Sequence, residues 1–462
     1  MLAIGRRFTG GHMELRIFTR PGAPSPDRRL VWPAFAGLAG LVVLAAVALA
    51  VPVWAAPSTL YVNRSDPACT DSGSGTASQP FCTISKGTSV ATGGQTVLVS
   101  SGTYSGGVSV GHSGSSSAPV VIRPASGASV TVNGGTHGFT ISSKSYVTIQ
   151  GFTISGTSGA GIYAVGASHV TISGNHVTGA GHPASGQTAQ GIKLNNTSDS
   201  LVQGNTTDHN SEAGISLTDG STRNTVKGNE SFANARGYVR AAPGIDVRAP
   251  GNAIIGNRCH DNEDTGIQSY TGGSNGLIVN NLAYGNGDHG IDDLNVTGQR
   301  IIGNTVYGNV TAGINVEGSS SGATVENNIS VDNGTGSPRT HGDIRVDKNS
   351  VSGSRVDYNV TWLTRADTLY VWGSSSYTSL AAFRSATGQG THDRQADPRF
   401  VSASGHNFHL TTGSPAIDAA NSGVSGQQSS DLEGHARVDI PGTPNTGAGP
   451  RAFDDRGAYE FH

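Results

Sequence analysis

Residues 204–217 read GNTTDHNSEAGISL, and the same frame returns as GNRCHDNEDTGIQS at 256–269, NNLAYGNGDHGIDD at 280–293 and GNTVYGNVTAGINV at 303–316. Each copy is an apolar triplet followed by G-N, four residues, a second Asn, a short turn and G-I-x-V/L. The Gly-Ile pair stands at Gly161, Gly191, Gly214, Gly244, Gly266, Gly290 and Gly313, in steps of 30, 23, 30, 22, 24 and 23 residues. The short steps are bare units and the long ones carry insertions. A period of 22–24 residues with short β segments and no helical spacing predicts a right-handed parallel β-helix. A leucine-rich horseshoe has a similar period but requires L-x-x-L-x-L, which is missing.

Stacking such coils at about 4.8 Å would place the pairs Asn205/Asn210, Asn229/Asn234, Asn257/Asn262, Asn281/Asn286, Asn304/Asn309 and Asn328/Asn333 in ladders. In a ladder the side-chain amides satisfy one another. Composition agrees with an all-β chain: 67 of 462 residues are Gly, 13% are charged, 35% hydrophobic and 6% aromatic. Gly is costly inside helices. Net charge is −3 and the 29 basic residues are scattered, so no stripe for a nucleic-acid backbone exists.

Outside the repeats, Arg28-Arg29 precede an apolar run from Leu30 to Ala55 that ends in Val53-Trp54-Ala55. This predicts an exported chain whose first 55 residues are a leader, cleaved or kept as an anchor. Secretion also fits a disulfide between Cys69 and Cys82, with Cys259 left as a buried filler. The expected organisation is a leader at 1–55, an N-terminal cap at 56–105, the β-helix at 106–350 and a capping region at 351–462. Trp362, Tyr370, Trp372, Tyr377 and Phe383 are expected to cover the open end, with one short helix near Thr378–Ser385.

In the G-I-x-V strand the Ile points inward and the next residue outward. Down the stack the outward column reads Tyr163, Lys193, Ser216, Asp246, Gln268, Asp292 and Asn315, all expected to face solvent. A second column two residues on reads Val165, Asn195, Thr218, Arg248, Tyr270, Leu294 and Glu317. Ionisable groups crowd the coils between 191 and 317, with Asp264, Asp288, His289 and Asp293 close by.

The segments Gly73-Ser74-Gly75-Thr76, Pro80-Phe81-Cys82-Thr83-Ile84, Thr96-Val97-Leu98-Val99 and Gly102-Thr103-Tyr104 resemble the N-terminal region of secreted β-helix carbohydrate enzymes. Across Pro243-Gly244-Ile245-Asp246, Asn262-Glu263-Asp264-Thr265-Gly266-Ile267-Gln268 and Gly285-Asn286-Gly287-Asp288-His289-Gly290-Ile291-Asp292, the chain resembles family nine polysaccharide lyases, the pectate lyases with an all-aspartate calcium site. The resemblance implies the fold and a polysaccharide substrate. Of the family's calcium aspartates only Asp264 is matched; Pro243, Thr265 and Gln268 replace the others, and Asp292 stands where the family has its catalytic lysine.

β-Elimination needs a base and a positive charge to stabilise the enolate. On that reading Asp246, Asp264 and Asp292 would hold Ca²⁺, with Lys193 or Arg248 as base and Tyr270, Gln268, Asn315 and Glu317 binding substrate. The catalytic set is therefore Asp246, Asp292, Arg248 and Lys193. An inverting hydrolase is the rival: Asp246 and Asp292, two coils apart, would be separated by roughly 9–10 Å. Polygalacturonase motifs are echoed only by Asn262-Glu263-Asp264 and Asp292-Asp293. A non-catalytic glycan-binding β-helix is the third alternative. In each case an extracellular monomer with a polysaccharide partner is expected, without nucleic acid or a membrane partner beyond the leader segment.

Overall fold

The computed structural model describes residues 58–181, 188–236, 242–337 and 339–462. The leader segment lies outside the described residues. Among the described residues three sheets of twelve strands each run the length of the solenoid, parallel throughout except for one strand of the second, and each parallel strand pairs with its counterparts in the neighbouring coils. Sheet one runs from Thr59–Val62 to Arg355–Asp357, sheet two from Val108–Ser109 through the G-I-x-V strands to Tyr370–Gly373, and sheet three from Gly102–Ser105 to Arg394–Gln395. A single antiparallel strand, Ser375–Tyr377, closes sheet two.

Stacking therefore begins inside the segment expected to be a cap and continues into the expected C-terminal capping region. The strands Thr59–Val62 and Thr96–Val99 pair in register, because Leu60, Val62, Val97 and Val99 alternate inward as in every later coil.

In sheet two, Ile162, Ile192, Ile215, Ile245, Ile267, Ile291, Ile314 and Ile344 are direct cross-strand partners, and all are buried. Burying each such side chain is worth about 1.5–3 kcal/mol. The Asn ladders form as the repeat requires. Nδ2 of Asn205, Asn229, Asn257, Asn281 and Asn304 each donates to Oδ1 of the Asn one coil further on, at 2.9–3.0 Å. The backbone N–H of each residue donates to the same oxygen. This row ends on Asp393, whose Oδ1 accepts from the backbone N–H and Nδ2 of Asn359. The parallel row from Asn210 to Asn333 ends on Asp343 Oδ1.

Cys69 and Cys82 are joined in a disulfide, and Cys259 is buried in the core, where burial pushes its thiol well up. Among the described residues two α-helices are present where one was expected. Helix α1, Ile84–Val90, is capped by Thr83, whose side chain accepts from Lys86 N–H, and it covers the N-terminal end. Helix α2, Leu380–Thr387, covers the other end: Phe383 stacks on Tyr370 with ring centroids 4.2 Å apart, while Trp372 and Tyr377 pack at their edges.

A candidate active groove on sheet two

The in-register strands of sheet two bring Lys193, Ser216, Asp246, Gln268, Asp292, Asn315 and Arg345 into one outward row. The row does not face open solvent. Asp246 is 5% exposed, Gln268 9%, Asp292 3% and Asn315 0%, because its members hold one another. Ser216 Oγ and Arg248 Nε both donate to Asp246 Oδ2, at 3.4 and 2.8 Å. Gln268 Nε2 donates to Asp292 Oδ2 at 3.4 Å and Asn315 Nδ2 to Asp292 Oδ1 at 2.8 Å. Arg345 Nη1 donates to Asn315 Oδ1 and to Glu317 Oε2, at 2.6 and 2.8 Å.

One side of this row is lined by the turns leading into sheet two. Turns 261–266, 285–290 and 308–313 are short, and they lie between the long turns 233–244 and 332–343. Backbone bonds from Asp288 to Asp264 and from Thr311 to Asp288 stack these residues at the rim. From the long turns, Arg236 Nε donates to Asp261 O at 2.7 Å, and Arg339 Nη2 lies 2.9 Å from Asp288 Oδ1. Arg236 and Arg339 thus reach the short turns from either flank.

The Asp264 and Asp288 carboxyls are hydrogen-bonded. Burial, then the neighbouring Asp288 charge, push Asp264 up to about 7. Thr311 Oγ1 also donates to Asp288. His289 is buried between these acids and the row. Its Nδ1 meets Ala312 O at 3.2 Å and Thr311 Oγ1 at 2.8 Å, and its Nε2 meets Asn315 Nδ2 at 3.2 Å. An amide donor at Nε2 assigns the proton to Nδ1, and burial lowers the ring's pKa, keeping it neutral. Burial also raises Asp246, despite Arg248, and holds Asp292 well above the ordinary carboxylate range. A continuous polar network runs from Arg339 through Asp288, His289, Asn315 and Asp292 to Gln268.

Some sequence expectations are corrected by this geometry. Asp293 belongs to the inward face, between Ser269 and Val316, and is fully buried rather than part of the groove. One face of the Tyr270 ring is covered by the Arg248 guanidinium, 4.6 Å from its centroid. Lys193 is two coils from Asp246, with Ser216 between. Glu317 is held by Arg345.

Calcium does not suit this set of donors. Asp246, Asp264 and Asp292 do not converge: Asp246 is tied to Arg248, Asp264 to Asp288, and Asp292 to two amides. In the groove, among the described residues, the metal-sized grouping is His289, Asp292 and Glu317. There the Asn315 amide and the Arg345 guanidinium already satisfy the carboxylates as hydrogen-bond donors, and hard Ca²⁺ prefers an all-oxygen shell.

Arg345 and Arg339 were not legible as site residues. Arg345 is the next member of the outward column, concealed because Asp343 replaces the Gly of the repeat in Gly342-Asp343-Ile344-Arg345. No pattern marks the direction in which Arg339 reaches.

A family profile described as the Pel9A-like right-handed β-helix region matches residues 60–359, well over half of the chain. No curated protein matches in sequence. Among solved structures, pectate lyase Pel9A superposes with a TM-score of 0.59 at 20% identity, covering 88% of this chain and 97% of that one. XylC in complex with xylose gives 0.49 at 13% identity over 66% and 75% of the chains, and a rhamnogalacturonan lyase 0.46 at 14% over 77% and 97%. At these identities the likeness is one of fold, and that of pectate lyase Pel9A agrees with the three-sheet architecture. The chain belongs to the family of Pel9A-like right-handed β-helix proteins.

Proposed function

We propose that the protein is a polysaccharide lyase that cleaves a uronate-containing glycan by β-elimination in the groove over coils 244–317. The observation that carries this reading is the placement of two amides and two guanidinium groups around the buried carboxyls of Asp246 and Asp292, beside Asp264, whose pKa is pushed up to about 7. A uronate carboxylate beside Gln268, Arg248 and Arg345 would meet donors able to neutralise it, and that neutralisation acidifies the adjacent C–H. The Asp264–Asp288 pair would accept this proton and return one to the departing glycosidic oxygen, a task suited to a group whose pKa is about 7. Asn315 and His289 position these parts. Lys193, upstream along the row, would contact the next sugar.

The fold of pectate lyase Pel9A supports a polysaccharide substrate. Hydrolysis is the second reading, favoured by the raised pKa of Asp264, which suits a general acid; Asp246 and Asp292 suit it poorly, since both are buried and held by their own partners. The proposed working form is an extracellular monomer. Incubation with a panel of uronate polysaccharides decides the matter: ultraviolet absorbance of an unsaturated uronate product is expected. New reducing ends without it would mean hydrolysis, and neither product would leave a binding role.

A further inference from the structure

The C-terminal segment carries a second cluster of ionisable groups, remote in sequence from the groove. This segment is stitched along the turns between sheets one and three. Asn280 Nδ2 donates to Ser430 O at 2.7 Å, Asn327 Nδ2 to Asn421 O at 2.9 Å, and Ala458 N–H to Thr305 Oγ1 at 3.0 Å. At its centre Arg437 and Glu460 form a fully buried ion pair at 2.8 Å.

Asp431 lies beside that pair, also buried. Its Oδ1 accepts from the backbone N–H groups of Glu433 and His435, at 2.9 and 2.8 Å. Its Oδ2 accepts from Glu460 N–H at 3.2 Å and stands 3.5 Å from His435 Nδ1. The exposed ring of His462 meets that of His435 at 77°, with centroids 4.9 Å apart. One ligand atom from each of Asp431, His435 and His462 lies within 4.8 Å of the others.

We propose that Asp431, His435 and His462 form a binding site for a divalent transition cation of the Zn²⁺ class. Three backbone N–H groups fix the carboxyl, so one ligand is already in place at no further cost in freedom. The two imidazoles are exposed and need only small rotations to bring their nitrogens to the roughly 2.0–2.1 Å that zinc requires, with water in the fourth position. Imidazole nitrogen selects this class of ion over Ca²⁺. The local charge favours a cation: Asp431, Glu433 and Glu460 outnumber the nearby Arg437 and Arg258. The role is structural, since the ion would tie the loop around residues 431–435 to the closing residues of the chain, across the Arg437–Glu460 pair.

The test uses the full chain after treatment with a chelator. Titration with ZnCl₂ is expected to show one bound equivalent and a rise in melting temperature of several degrees, because a ligand bound by the folded state alone stabilises it by mass action. CaCl₂ is expected to give no comparable rise. His435→Ala and His462→Ala, both at exposed positions, should fold normally and each lose the Zn²⁺-dependent rise. Absence of zinc uptake, or uptake unchanged in both variants, would overturn the proposal.

Discussion

Asn315 orients the polar row of sheet two through Arg345: the guanidinium holds the amide oxygen at 2.6 Å, which turns Nδ2 toward Asp292 and His289 at 2.8 and 3.2 Å. Substituting Asn315→Asp removes that donor and places a second carboxyl against Asp292. Turnover on the polysaccharide that proves to be the substrate is expected to fall by roughly 10²-fold or more, the usual loss for a preorganised donor. Circular dichroism should show the fold unchanged.

The pH dependence follows from Asp264. With its pKa near 7, kcat/KM should inflect near that pH, and Asp288→Asn, which removes the like charge, should move the inflection lower. The sign for stability is separate. Because the folded pKa exceeds the unfolded value of about 3.9, the folded state binds the proton more tightly. The contribution is fully present below about pH 4 and is lost as pH rises through 7. Asp264→Asn should therefore withstand urea better than the parent at pH 8 and show no such advantage at pH 3.5.

Asp293 imposes a cost inside the barrel. Among the described residues neither of its carboxyl oxygens meets a hydrogen-bond partner, and burial holds it well above the ordinary range. Asp293→Val, matched to Val247 and Val316 on the same inward column, should raise stability by about 1–3 kcal/mol in urea denaturation. Turnover should stay unchanged, as the side chain does not reach the groove.

Breaking an amide row should be expensive. Asn281→Ala leaves the backbone N–H and Nδ2 of Asn257 without their acceptor and Ile254 O without its donor. Each orphaned buried group costs about 1–3 kcal/mol. A drop in denaturation midpoint larger than that of an exposed Asn→Ala control, such as Asn349→Ala, is the expected result.

Calcium should not support turnover. Adding Ca²⁺ to chelator-treated protein is expected to leave kcat and KM as they were, since the three aspartates have other partners. A restored rate would show that these partners yield to the ion.

The repeat made the fold readable because identical spacing places identical residues at identical heights. Ile267 must stack on Ile245 once Gly244 and Gly266 are aligned, and no tertiary information is needed. Helix α1 was hidden because a Ser/Thr-rich stretch ending in Val90 has weak helical preference; Thr83 and the burial of Ile84 set it. The site was readable only as columns. Asp246, Gln268, Asp292 and Asn315 were placed correctly in one row, but strand alternation alone cannot report that neighbours in a row bury one another. Nor can it show that Asp293, one residue on from Asp292, points inside with a charge-bearing group. Arg339 reaches Asp288 across a long turn, and that contact exists only in three dimensions.

The carboxyl ends of the two Asn rows give the solenoid a direction. An asparagine receives on its oxygen and gives with its nitrogen, so it relays bonding from one coil to the next; Asp343 and Asp393 receive and have no amide nitrogen with which to continue. Each therefore works as a terminator. Duplicating or deleting a whole unit upstream of Asp343 would leave both endings intact, so the barrel could be lengthened or shortened in single-coil increments with no new closing residue to invent.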